Sequence, residues 1–232
     1  MMRRLGYVIM VISVMAITAC LLGSVAMASD AVLVLENFDG ITTTSQLNLL
    51  VSGKENLAEG NYWDFRFAAE PTEISLIPGH DGTGNALEVK TTIEPLGVKW
   101  IHLWFDPALD ISEYTKLTLW YSLSHGPEDL SRGHPFQVRI YDADSNRVEA
   151  RLRQEFPKDD SWLIPNEWHK LVVYLVPDAP MEDYPADVLV SRHSRIDDTL
   201  DRNAAARFII RLENSFVLDP IYIRIDDIQL EK

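Results

Sequence analysis

The side chains best equipped for chemistry gather between Val98 and Ser124. In VKWIHLWF, Trp100, His102 and Trp104 alternate with Ile101, Leu103 and Phe105. In KLTLWYSLS, Lys116, Thr118, Trp120 and Ser122 alternate with Leu117, Leu119, Tyr121 and Leu123. A third run sets Gln137, Arg139 and Tyr141 against Phe136, Val138 and Ile140. Side chains on a strand change face at every residue. Each run therefore predicts an aliphatic face for a core and a second face of aromatic and polar groups. Neighbouring strands would bring Trp100, His102, Trp104, Trp120, Gln137, Arg139 and Tyr141 together. Arg207, Arg211 and Glu213 join them if the penultimate strand lies in the same sheet. Flat rings bury apolar area against the CH faces of a sugar, and Gln, Arg and His serve its hydroxyls. Tyr, Trp and Arg also dominate protein–protein surfaces. A third outcome is that the segment Pro177–Asn203 covers this face and turns the tryptophans into a second core layer.

A second group lies at the two ends of the chain. Glu36, Asp39 and Asp226 are hard oxygen donors, and backbone carbonyls could complete a calcium sphere around them. The plain alternative is that these carboxylates are solvated at strand ends. Catalytic patterns are weaker. The six histidines show neither H-x-x-x-H nor H-E-x-x-H spacing, which excludes the usual zinc hydrolase signature. There is no G-x-S-x-G elbow. Hydrolysis of a glycoside asks for two facing carboxylates, and no pair stands out.

The elements that must position these groups are short. Ala31–Glu36 is an apolar run ending in the turn-like Asn37-Phe38-Asp39-Gly40. A short helix is expected within Ile41–Glu59. Strands are expected at Tyr62–Phe67, Glu73–Ile77, Ala86–Thr92, Arg147–Glu155, Trp168–Val176, Arg207–Glu213 and Ile221–Leu230. Pro177–Asn203, with Pro177, Pro180 and Pro185, reads as a long excursion with one helical turn. Many short strands, spaced by Gly, Pro, Asp and Asn turns, predict an all-β protein, an antiparallel β-sandwich of jelly-roll type.

The chain opens MMRRLG and runs apolar from Tyr7 to about Val25, before Ala26-Met27-Ala28. This is the pattern of a secretory signal peptide, residues 1–28, followed by a single β-sandwich domain, residues 29–232. The expected location is secreted or periplasmic. Ile17-Thr18-Ala19-Cys20 resembles a lipoprotein box, and a lipidated Cys20 would tether the protein to a membrane. An uncut apolar run would instead serve as an anchor. Cys20 is the only cysteine, so the processed chain has no disulfide and no thiolate metal site. Net charge is −14, which argues against nucleic acid and anionic membrane surfaces as partners.

Five pieces in order carry a resemblance. They are Asn37-Phe38-Asp39, Gly82-Thr83-Gly84-Asn85-Ala86-Leu87-Glu88-Val89, Asp110–Leu117, Asn166-Glu167-Trp168-His169-Lys170-Leu171 and Ile223–Leu230. The set resembles the galactose-binding-like jelly rolls that include carbohydrate-binding modules, notably the family-eleven type. The resemblance implies a structural calcium where first and last strands meet, and binding on the concave sheet face or the loops at one end. The expected function is thus a non-catalytic module binding a polysaccharide or glycan through Trp100, His102, Trp104, Trp120, Gln137, Arg139, Tyr141 and Arg211. The alternative is a protein-interaction or scaffold module of the cell envelope. A jelly-roll polysaccharide lyase is a third outcome. His102, Tyr141, Arg139 and Gln137 suit it in composition, but the lyase sequence motifs are missing.

Overall fold

Alternating apolar and polar residues become strands throughout, and no helix occurs among the described residues. The computed structural model describes residues 31–42, 62–66, 73–91, 98–124, 136–151, 164–177, 179–180, 182–185, 188–191, 195–213 and 220–232. The expected leader 1–28 with Cys20, and nearly all of the helix expected within Ile41–Glu59, lie outside the described residues. The chain divides after Ala31, and every described strand belongs to the unit Val32–Lys232.

The strands in chain order are β1 (Val32–Glu36), β2 (Tyr62–Arg66), β3 (Glu73–Pro78), β4 (Asn85–Thr91), β5 (Val98–Leu109), β6 (Lys116–Leu123) and β7 (Phe136–Asp142). They continue as β8 (Arg147–Arg151), β9 (His169–Tyr174), β10 (Val188–Ser191), β11 (Arg195–Ile196), β12 (Ala205–Glu213) and β13 (Ile221–Glu231). Two sheets form the sandwich. The first runs β10-β9-β6-β13-β4-β3, with β1 also on β13, and the second runs β11-β8-β7-β12-β5-β2. All pairs are antiparallel except β10 with β9. This is the β-sandwich of jelly-roll type that the strand spacing predicts.

The periodicity assigns the core correctly. Leu117, Leu119, Tyr121 and Leu123 from the first sheet meet Ile101, Leu103, Phe105, Val138, Ile140, Phe208 and Ile210 from the second. Complete burial pushes the Tyr121 phenol far above its ordinary range. One edge of β13 is shared. Its first half pairs β4 at Ile221–Ile225, and its second half pairs β1 at Ile228–Glu231. The register slips between Asp226 and Gln229, where Asp227 takes a positive φ of 45°. The bulge therefore sits where the end of β1 and the start of β4 converge.

Two expectations need correction. Trp120 does not share a face with Trp104, because β5 and β6 lie in different sheets. Sequential strands usually neighbour each other, but here the chain crosses between sheets over residues 110–115. The crossing is pinned: Ile111 N–H donates to Arg202 O at 2.8 Å, and Thr115 N–H to Glu231 O at 2.8 Å. Arg202 Nη2 also donates to the carbonyls of Ile111 and Tyr114. Second, the described residues of the excursion Pro177–Asn203 form β10 and β11 and no helical turn. These take outer positions, one in each sheet. Ala179 and Tyr184 pack on Val172, Tyr174 and Val190 of the first sheet. In its described residues the excursion thus covers the sheet opposite the one that carries Trp104.

Candidate functional site

The outer face of the second sheet collects most of the expected binding residues. Antiparallel register sets Trp104 (β5), Arg207 (β12), Tyr141 (β7) and Arg147 (β8) in one row. The next row is His102, Ile209, Arg139 and Glu149, and the third begins Trp100, Arg211 and Gln137. Directly opposed residues share a face, so one surface carries all three rows. Strand β2 adds the positions Tyr62, Asp64 and Arg66 in register with Trp104, His102 and Trp100.

The middle of this face is closed, which corrects the expectation that all these residues are solvent-accessible. His102, Gln137, Arg139 and Tyr141 are buried, while Trp100, Trp104, Arg207 and Arg211 are half-buried. The flanking rings and guanidiniums account for it. His102 lies between Trp100 and Trp104, with ring centroids 5.9 Å away on each side. Arg207 stacks between Trp104 at 4.9 Å and Tyr141 at 4.7 Å. Arg211 lies 4.7 Å from the Trp100 ring. Such contacts draw a delocalised cation onto the negative ring face.

Beneath them a polar network fixes the floor. Arg139 donates through Nη1 to Tyr141 OH at 2.9 Å and through Nη2 to Gln137 Oε1 at 2.5 Å. Its Nη2 also lies 2.7 Å from Glu149 Oε2, which Arg147 Nε approaches at 3.0 Å. Two guanidiniums thus compensate one fully buried carboxylate, the condition for burying a charge at tolerable cost. Arg211 Nη1 donates to the same Gln137 oxygen at 3.3 Å.

Trp120 stands on the outer face of the first sheet. The His80 ring stacks on it at 4.3 Å and 14°, and Trp168 meets His80 edge-on at 6.4 Å. One face of the Trp120 ring is therefore covered by a histidine.

The chain-end group gathers around the β13 bulge. Asp39 Oδ1 accepts from Asn85 N–H at 2.8 Å, tying β1 to β4. Asp226 Oδ2 accepts from the His80 backbone N–H at 2.9 Å and lies 2.9 Å from His80 Nδ1. His80, Asp226 and Asp227 have ligand atoms within 4.8 Å of one another. Burial, then the negative charges of Asp226, Asp39 and Asp81, holds the Asp227 carboxyl above its ordinary range. Unbalanced carboxylate oxygens of this kind suit a hard dication. Asp226 and Asp227 fit that role, with His80 beside them and Asp39 near enough for its charge to act on Asp227. Glu36 is not in that cluster; its Oε1 accepts from the N–H groups of Asn37 at 3.1 Å and Phe38 at 2.8 Å.

Glu149, Arg147 and Asp227 are absent from the sequence-derived sites. Alternation of Arg147 and Glu149 against Val148 and Ala150 carried a usable signal for the first two. Asp227 carried none, since adjacent strand residues point to opposite faces until a bulge intervenes.

No protein-family model matches the sequence, and no curated protein matches it. Among solved structures the chain is similar to the agarase AgWH50C, with TM-score 0.52 and 9% identity over 88% of this chain and 25% of that one. It is similar to an exo-beta-agarase at TM-score 0.51 and 12% identity, over 73% of this chain and 22% of that one. A family 11 carbohydrate-binding module of the cellulosomal cellulase Lic26A-Cel5E of Clostridium thermocellum overlays at TM-score 0.48 and 14% identity, over 86% of this chain and 94% of that one. The chain spans about a quarter of the length of the agarases it matches. At these identities the likeness is one of fold.

Proposed function

We propose that this chain is a carbohydrate-binding module without chemistry of its own, and that the outer face of its second sheet holds the glycan. One observation carries the proposal. Trp100 and Trp104 stand half-buried on a single strand, flanked by Arg207 and Arg211, above the fixed Gln137–Arg139–Tyr141–Glu149 layer. The rings supply apolar area for sugar CH groups, and the half-buried guanidiniums of Arg207 and Arg211 supply directional donors. A preorganised floor lowers the ordering cost of binding. The likeness in fold to part of two agarases supports a role on polysaccharide.

Under the same proposal Asp39, Asp226 and Asp227 hold a structural calcium, and the protein is exported with its leader removed after Ala28. An intact mass beginning at Ser29 supports that processing, whereas a lipid-modified Cys20 start replaces it with a tether. A glycan array followed by tryptophan fluorescence titration tests the binding proposal. Saturable quenching by one saccharide class supports it. A face that binds no saccharide but becomes protected in a complex is a protein-docking surface instead.

A further inference from the structure

The cation site at the β13 bulge has a donor that calcium does not call for. Among the described residues, His80, Asp226 and Asp227 have metal-ligating atoms that all lie within 4.8 Å of one another. His80 Nδ1 lies 2.9 Å from Asp226 Oδ2 and 3.7 Å from Asp227 Oδ2. Ligands held tetrahedrally at about 2.0–2.2 Å from a zinc ion stand roughly 3.3–3.6 Å apart, so the two separations bracket the edge of such a sphere. The imidazole is also fixed from outside the carboxylate cluster. Its ring stacks on Trp120 at 4.3 Å and 14°, and Trp168 meets it edge-on at 6.4 Å. The turn that carries it closes tightly onto Asp226. A Cβ on Gly79 would lie 2.2 Å from Thr83 O and 3.0 Å from Asp226 Oδ2. Two tryptophans and a glycine turn thus hold one imidazole nitrogen over two carboxylates.

We infer that this site takes zinc as well as calcium, and that zinc is held by His80 Nδ1, Asp226 and Asp227. The inference rests on the reading of this cluster as a cation site. Calcium asks for oxygen donors alone, whereas imidazole suits zinc and its transition-metal neighbours. The two ions share the carboxylates and differ in the histidine. Neutral His80 binds through Nδ1 and keeps its proton on Nε2, and a water completes the fourfold sphere. Asp226 Oδ1 accepts from the Asp227 N–H at 2.8 Å, which orients that carboxylate and leaves Oδ2 toward His80. Asp39 and Asp81 add negative charge around Asp227, which favours a dication. Zinc here ties the His80 turn to β13, and the Trp120 ring under His80 reports the event.

The test titrates the metal-free full chain with zinc chloride and, separately, with calcium chloride, by isothermal titration and tryptophan fluorescence. Zinc is expected to bind at least tenfold more tightly than calcium, to change the fluorescence and to displace bound calcium. His80→Ala should weaken zinc binding at least tenfold, while its melting response to calcium persists. In long-range proton–nitrogen NMR of the parent chain, the Nδ1 resonance assigned to His80 should shift with zinc and stay in place with calcium. That measurement decides alone should the variant fail to fold. Absence of the shift, or equal zinc affinity in His80→Ala, overturns the inference. A calcium response without zinc binding overturns it and leaves the calcium site standing. Zinc binding through His80 without a calcium response supports it and removes the calcium, and no response to either ion removes both.

Discussion

At the scale of single residues, Trp104 and Gly84 show how neighbours set a side chain's worth. Trp104 is half-buried, with Arg207 over its ring and His102 stacked behind it. Trp104→Ala should weaken glycan binding by about 1–3 kcal/mol through lost apolar contact. Its stability cost should fall below the roughly 3–5 kcal/mol of a fully buried aromatic. Urea unfolding beside fluorescence titration separates the two. A full core-sized loss of stability would show that the ring is packing and not a contact. Gly84 is held at a φ of 61°, and a Cβ there would sit 2.0 Å from Asp39 Oδ1. The left-handed backbone alone costs a non-glycine residue about 1–3 kcal/mol, and the clash attacks the β1–β4 tie. Gly84→Ala should therefore lower the melting temperature. A melting curve matching the parent would mean that Asp39 moves aside without consequence.

At the scale of elements, the β7–β8 turn is built around Asp142. Its Oδ1 accepts from Asn146 N–H, and its Oδ2 from Asn146 Nδ2 and from Asp201 N–H in the segment entering β12. Burial would raise this carboxyl, but the backbone N–H of Asp201 and the Asn146 donors win, and it is held below its ordinary range. A lowered folded pKa means that this stabilisation is present above the unfolded value of about 3.9 and is lost as pH falls through the folded one. Asp142→Ala should cost about 2–3 kcal/mol near neutral pH, since it strands buried donors. The variant should also lose part of the parent's acid-side decline in stability below about pH 4. Guanidinium unfolding at pH 7 and pH 3 checks both, and an unchanged difference between the two pH values would remove Asp142 from this role.

At the scale of the whole molecule, the jelly roll brings both ends of the described chain to one place. Strand β1 pairs with β13, and the bulge at Asp227 collects carboxylates beside the turn that carries His80. A cation bound only to the native state stabilises it by mass action. Adding calcium to metal-free protein should raise the melting temperature, and a chelator should reverse the change. Asp227→Asn should blunt the response. Identical melting curves in calcium and in chelator, starting from protein shown to be metal-free, would remove the calcium from the proposal.

Period-two alternation sufficed to predict the all-β class, the positions of the described strands other than β10 and β11, and the inward faces. Ile101, Leu103, Leu119, Val138 and Ile140 are buried where the pattern puts them, because a one-residue slip would expose a whole strand's apolar set. Alternation says which side of a strand faces inward, but not which sheet the strand joins. Trp120 has the same local pattern as Trp104, yet the crossing at residues 110–115 puts it on the opposite sheet under His80. Sequence also leaves open how far an outward face is closed. The large side chains on β5, β7 and β12 fold over one another and bury His102 and Arg139. Strands β10 and β11 were hidden because they are short and flanked by charged and proline-bearing residues, so neighbours to pair with decided them more than their own pattern. The gathering of His80, Asp226 and Asp227, with Asp39 nearby, depended on a bulge and a shared strand edge, features of pairing geometry that only the tertiary structure decided.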